Sequence, residues 1–183
     1  GMKEAYLRDM YDKFIDGMHK HLLMTSNEDK LKYIAQSINT SFKSISHKME
    51  HLVCFMGGLL ALGAYTDPNG MDSDRAKRDL GTAKDLAYTC YQMYARTKTG
   101  LTGDVVNFSA NHDFGIAKQD YNLRPETVET FYILYLVTGE HAYREWGWEI
   151  FESIEQHCRR EVGYGTVNNV QDASARSDNH MES

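Results

Sequence analysis

The sequence predicts an all-α protein built from helical hairpins laid side by side, and three observations carry that expectation. Apolar residues recur at intervals near the 3.6-residue period over several long stretches, as on one face of a helix. Only two prolines, Pro68 and Pro125, occur in 183 residues, so few helix interiors are interrupted. The stretches are joined by short turns and then by longer loops, which makes neighbours antiparallel pairs. Such pairs assemble as a helical bundle or as a section of an α/α toroid. Strand-like segments in the loops add short β-hairpins to this frame.

Over residues 3–24 the apolar positions Tyr6, Leu7, Met10, Tyr11, Phe14, Ile15, Met18 and Leu22 define a long amphipathic first helix. Residues 26–29 read as a turn. Residues 31–42, punctuated by Ser, Asn and Thr, read as mostly irregular. A second helix is expected over residues 47–65, where Gly57, Gly58 and Gly63 cost stability unless a neighbouring backbone packs closely against them. Asp67-Pro68-Asn69-Gly70 has turn chemistry, and residues 72–97 form a third helix through Leu80, Ala83, Ala87, Tyr88 and Tyr91. A loop over residues 98–120 holds two short strands, 105–108 and 116–117. Residues 124–138 make a fourth helix, ended by Gly139, and residues 140–161 a fifth. Residues 163–170 read as a short hairpin segment before a polar tail.

The length suits one ordinary domain or part of a larger one. The formal net charge is −6 and the basic residues are scattered, which leaves no electrostatic footprint for nucleic acid or for a membrane-surface helix. No run approaches eighteen apolar residues and the N-terminus lacks a signal-peptide pattern, so the segment as given reads as soluble. Gly1-Met2 reads as a tag remnant, with the natural protein extending further in one or both directions. Cys54, Cys90 and Cys158 lack metal-ligand spacing, and an odd count permits one bridge and one free thiol, with the pairing open. Two glycosylation acceptor patterns, at Asn39 and Asn107, lean towards a secretory compartment. Twelve Tyr and two Trp suit a carbohydrate site, although most such rings serve as core.

The stretch richest in chemistry is Asn122-Leu123-Arg124-Pro125-Glu126-Thr127-Val128-Glu129-Thr130. Pro125 suits a first helical position, which puts Arg124 at the cap, where a Ser, Thr, Asn or Asp would stabilise by roughly 1 kcal/mol more. A broken local rule at a helix start marks a candidate site. Glu126 falls in the first turn, where unpaired N–H groups favour an ionised carboxylate, and Glu129 follows on the same face. A carboxylate among donors beside an Arg can serve as a general base or hold a metal-bound water. Dipole complementarity alone also places acids in first turns.

Several longer words carry a resemblance. His51-Leu52-Val53-Cys54-Phe55, Gly58-Leu59-Leu60-Ala61-Leu62-Gly63, the Asn122 to Thr130 stretch, Tyr143-Arg144-Glu145-Trp146-Gly147-Trp148-Glu149 and Asn169-Val170-Gln171-Asp172 occur in this order. Together they resemble the class I α-1,2-mannosidases of glycoside hydrolase family 47. Cys90-Tyr91-Gln92-Met93 and Asn169-Val170-Gln171-Asp172 lean towards the endoplasmic-reticulum branch. The resemblance runs from about Tyr11 to Ser183 and implies a section, about three helical hairpins, of an (α/α)7 barrel, incomplete at both ends.

The resemblance further implies inverting, calcium-dependent removal of α-1,2-linked mannose from high-mannose N-glycans by the full-length protein, in the lumen of the endoplasmic reticulum or early secretory pathway, with a type II membrane anchor. Glu126 matches the general base and Glu129 a second acid of the same site. Arg124 and His51 match residues that line the mannose and calcium region. Asp104 occupies a glycan-facing position where the family has Glu. Glu126, Glu129 and His51 would reach Ca²⁺ only through its bound waters, its main protein ligand being expected outside the segment. Cys54 and Cys90 match a pair that the family joins as a disulfide. The family's acid word, E-S-T-I-R, is not in this sequence, nor is its calcium word, N-T-E-A-H, and Glu182 of Met181-Glu182-Ser183 does not match a catalytic carboxylate. The chain alone is therefore expected to be inactive. A glycan-binding homologue with little or no catalysis, acting in glycoprotein quality control, and an inert helical fragment are the rival readings.

Overall fold

A computed structural model describes residues 4–174; Gly1-Met2 and the Met181-Glu182-Ser183 word lie outside them. Five α-helices carry the described fold: α1 (Ala5–His21), α2 (Phe55–Tyr65), α3 (Asp74–Ala95), α4 (Glu126–Thr138) and α5 (Ala142–Cys158). Each falls within a stretch read as helical from its periodicity. Ser73 caps α3 by accepting from the Ala76 N–H at 3.0 Å. Gly139, at φ +73°, ends α4 with its N–H on the Tyr135 carbonyl, as its place after the last turn predicts.

Helix α2 packs against both α3 and α4, and α4 packs against α5. The glycines of α2 explain how. A Cβ on Gly57 would lie 2.6 Å from Thr130 Cγ2, and one on Gly58 would lie 2.9 Å from Ile133 Cδ1, both on α4. A Cβ on Gly63 would run into the Tyr11 hydroxyl of α1. Close approach therefore offsets the helix propensity these residues lack. Thr130, fully buried, accepts from the Gly58 N–H at 2.8 Å and donates to the Cys54 carbonyl at 2.7 Å.

The strands depart from expectation in number and place. β1 (Leu23–Thr25) pairs antiparallel with β2 (Lys32–Ile34), and β3 (Gln36–Ser37) with β4 (Ile45–Ser46). Within residues 31–42, read as mostly irregular, the short strands β2 and β3 were not foreseen: Leu31, Tyr33, Ile34 and Ala35 are buried, and strand pairing satisfies the backbone there. The second helix likewise starts later than residue 47. β5 (Lys48–Glu50) and a 3-10 turn (His51–Cys54) precede it, because Met49, fully buried, pairs with Val106, and the His51 N–H donates to the Asp104 carbonyl at 2.9 Å. β6 (Val105–Phe108) then pairs with β7 (Phe114–Lys118) in a sheet ordered β5-β6-β7. Both were foreseen, the second two residues short at its start and one at its end. Residues 163–170 form no hairpin of their own, only isolated bridges, Arg159 to Tyr164 and Tyr121 to Val167.

Two apolar clusters fill the interior. One gathers Ile15, Leu60, Leu86, Phe131, Leu134 and Ile150 between the helices. The other sets Leu31, Tyr33, Met49, Met93, Val106 and Phe108 under the sheet, around a disulfide between Cys54 and Cys90. That is the pair the resemblance implied; Cys158 is free and buried.

Candidate active site

The site is assembled where α4 begins. Tyr121 is held by a two-way backbone exchange with Val167, at 2.8 and 3.0 Å, and Leu123 then takes φ +59°. A left-handed leucine costs on the order of 1–2 kcal/mol, and such strain persists where the surroundings over-determine it. Here Tyr121 anchors one side and Arg124 the other, its Nε donating to Asp104 Oδ1 at 2.8 Å. The chain turns sharply into α4.

Helix α4 starts at Glu126, one residue after Pro125, which was expected to open it. Pro125, and not Arg124, occupies the cap: its carbonyl accepts the first helical bond from the Glu129 N–H at 2.9 Å, with no side-chain cap. Glu126 and Glu129 both lie in the first turn. Glu126 is half-buried, and its Oε2 is a buried oxygen with no hydrogen-bond partner among the described residues. Glu129 is exposed. A buried carboxylate oxygen without a donor costs folding free energy, so this acceptor is open to a donor from a water or a ligand.

Next to Glu126, Thr127 is fully buried, with its Oγ1 2.9 Å from His51 Nε2. The same nitrogen lies 2.8 Å from the Tyr94 hydroxyl. His51 is only 1 % exposed. Burial pushes its imidazole down to about 4, with Asp104 opposing and Arg124 assisting, so the ring is neutral at neutral pH. His51 sits in the interior of this section, its Nε2 engaged by the Thr127 and Tyr94 hydroxyls. Burial also pushes the phenols of Tyr94 and Tyr121 up, which keeps both as hydroxyls.

Asp104 is mostly buried and binds Arg124 Nε and Lys118 Nζ, each at 2.8 Å, while Lys118 also meets Asp120 at 3.1 Å. Burial pushes its carboxyl up, but Lys118 and Arg124 outweigh this and hold it below the ordinary carboxylate value. Asp104, Arg124, His51 and Glu126 are therefore brought together, and Glu129 stands one turn along α4. Sequence reasoning missed Tyr94, Tyr121 and Lys118 as parts of this cluster. Tyr94 falls on the apolar face of α3, and nothing in its spacing separates it from core.

The residues bear on a cation only indirectly. Among the described residues no group of three or more His, Cys, Asp or Glu could hold a metal ion. The unpartnered Glu126 oxygen fits an acceptor for a water that a hard cation carries, since such cations retain waters bound through carboxylates.

Comparison with known proteins matches this sequence to a family. The profile of glycosyl hydrolase family 47 covers residues 1–183. The chain is 38% identical over 180 residues to the human endoplasmic reticulum mannosyl-oligosaccharide 1,2-alpha-mannosidase, covering 94% of this chain and 24% of that protein. It is 33% identical over 186 residues to the Drosophila melanogaster mannosyl-oligosaccharide alpha-1,2-mannosidase IA, covering 100% and 27%. In shape it is similar to an alpha-1,2-mannosidase from Trichoderma reesei, with a TM-score of 0.86 at 24% identity over 97% of this chain and 39% of that one. The last likeness bears on the fold, which is a section of the helical barrel that the resemblance implied. The chain spans about a quarter of the length of these curated relatives, and on the match along its whole length it belongs to glycosyl hydrolase family 47.

Proposed function

We propose that the full-length protein hydrolyses terminal α-1,2-linked mannose from high-mannose N-glycans with inversion, and that this chain supplies the general-base side of the site. The observation that carries the reading is the Glu126 Oε2, buried at the start of α4 and without a partner among the described residues. In an inverting hydrolysis, one carboxylate takes a proton from the water that attacks the anomeric carbon. A second carboxyl protonates the leaving oxygen from the opposite side, roughly 6.5–9.5 Å away, to leave room for that water. Glu126 takes the first role. The second is expected from a part of the protein that the resemblance places outside this sequence.

The neighbours of Glu126 hold it in place. The Thr127, His51 and Tyr94 contacts lock the first turn of α4, so the carboxylate starts from one orientation. Arg124, fixed by Asp104, supplies a charged donor for sugar hydroxyls, and Asp104 reaches the sugar region through Arg124. Glu129 is exposed and able to accept from hydroxyls of the bound sugar. Ca²⁺, when bound, would polarise and orient oxygens of the sugar and its waters, and Glu126 and Glu129 would serve as outer acceptors. The proposed setting is the lumen of the endoplasmic reticulum or early secretory pathway, in a membrane-anchored full-length protein. The names of the relatives and the disulfide support a secretory setting. No helix among the described residues is long and apolar enough to cross a membrane.

The test is mannose release from a high-mannose N-glycan by the full-length protein. Release abolished both by a calcium chelator and by Glu126→Gln supports the reading. Glycan binding without release assigns the protein to the binding class, and release that survives Glu126→Gln removes that residue from the base role.

A further inference from the structure

Two acceptor patterns for N-linked glycan, at Asn39 and Asn107, play no part in the site, and their surroundings differ. Asn39 is exposed on the connection between β3 and β4. Its carbonyl accepts from the Phe42 N–H at 3.3 Å, which closes the hairpin as a tight turn. Its side-chain Oδ1 accepts twice from the third residue of the pattern, from Ser41 Oγ at 2.6 Å and from the Ser41 N–H at 3.2 Å. No hydrogen bond among the described residues uses its Nδ2. The amide nitrogen is therefore free while its oxygen is bound by two donors.

Asn107 is exposed too, but it sits in the middle strand of the three-stranded sheet, opposite Lys48 on one side and Gly115 on the other. Phe108, between it and Ser109, is 5 % exposed, stacks on Tyr33 at 3.7 Å and donates its N–H to the His47 carbonyl at 2.8 Å. Ser109 Oγ accepts from the His112 N–H at 3.3 Å. Folding the 107–109 segment into the turn seen at Asn39 would pull Phe108 from the core and break the ladder.

We infer that Asn39 is an N-glycan acceptor and that Asn107 is not. The inference rests on the secretory compartment proposed above. The reaction needs a lipid-diphosphate-linked oligosaccharide as donor. Asn39 Nδ2 forms a bond to the anomeric carbon of the first sugar, the bond from that carbon to the phosphate oxygen breaks, and the lipid diphosphate leaves with the electron pair. One proton passes from Nδ2 to a base of the transferase, and nothing is oxidised or reduced. Amide nitrogen is a poor nucleophile because its lone pair is delocalised onto the oxygen. Two donors on Oδ1 stabilise the charge that gathers there as Nδ2 loses its proton, and the turn presents the nitrogen to solvent. The glycan would stand on the hairpin tip beside Ile38, which is 68 % exposed.

The test expresses the full-length protein through the secretory pathway of a eukaryotic host and treats it with a peptide-N-glycosidase in heavy-oxygen water. Mass spectrometry of the peptides then reads which Asn becomes labelled Asp, and non-reducing mapping reads whether Cys54 and Cys90 are joined. Labelled Asn39 with bare Asn107, a one-glycan mobility shift lost in Asn39→Gln, and no change in Asn107→Gln are the expected results. A disulfide-bonded protein with bare Asn39 overturns the assignment while leaving the compartment intact. Labelled Asn107 overturns the selection by structure, because it shows transfer to a chain not yet folded. Reduced cysteines with bare Asn39 overturn the compartment and the assignment together, and mannose release, assayed separately, reports on the hydrolase reading alone.

Discussion

At the scale of single residues, the proposed site holds one carboxylate whose Oε2 has no partner among the described residues, and a buried, neutral imidazole lies beside it. Replacing the Glu126 carboxylate by an amide keeps its shape and removes its ability to take a proton. Glu126→Gln should therefore cost about 10²–10⁴-fold in mannose release by the full-length protein, the range for loss of general acid–base catalysis. His51 makes a prediction of a different kind. Its folded value, about 4, lies below the ordinary 6.5, so the unfolded chain takes up a proton first as pH falls. Stability is kept above about 6.5 and is lost as pH falls to about 4, by about 3 kcal/mol for this one group. Denaturant melts at pH 7 and pH 4, compared between the protein and His51→Gln, check it: the variant should lose that part of the pH dependence. Asp113 shows the opposite logic. Burial pushes its carboxyl up, but hydrogen bonds from Ser26, Arg96 and the Asp29 N–H bring it down to about 2, which ties the β1–β2 turn to the loop before β7.

At the scale of elements, the contact of α2 with α4 sets the position of the site, because Thr130 and Thr127 lie on the buried side of the helix that carries Glu126. Gly57→Ala adds a methyl 2.6 Å from Thr130 Cγ2, a short and β-branched side chain with no room to swing away. Overpacking of this sort costs about 1–3 kcal/mol, more than the roughly 1 kcal/mol that alanine gains in helix propensity. A net loss in chemical-denaturation stability is expected. The disulfide binds the 3-10 turn that holds His51 to α3, across a sequence separation of 36. Reduction should lower stability by about 4 kcal/mol in the chain-entropy picture, read as a shift of the denaturation midpoint with added reductant.

At the scale of the whole molecule, the helices show faces that nothing among the described residues covers. On α1, Tyr6, Leu7, Met10 and Phe14 are each more than half exposed, although they belong to the same apolar stripe as buried Ile15 and Met18. On α4, Tyr132 and Leu136 are 63 % and 62 % exposed. Apolar surface of this extent drives association. Residues 1–183 expressed alone should therefore self-associate with rising concentration in sedimentation measurements, and should release no mannose, since an inverting site needs a second carboxyl across the sugar.

Helix number, helix order and the αL end of α4 at Gly139 were legible in the residues themselves, because an amphipathic period and a cap depend on neighbours three or four positions away. The acid-bearing word after Arg124 was legible for the same reason, and the longer words tied it to a family. Among the strands between residues 31 and 50, β5 was not, since it pairs with β6 more than fifty residues along the chain and no local period records that partner, whereas β2, β3 and β4 are only two or three residues long, too short to show a period. Nor could spacing show that Leu123 turns left-handed, that Pro125 takes the cap, or that His51 is locked between Tyr94 and Thr127. Those outcomes follow from long-range contacts that compete with local preference. At the candidate site, tertiary packing holds the strained turn in place and leaves one carboxylate oxygen buried without a partner among the described residues.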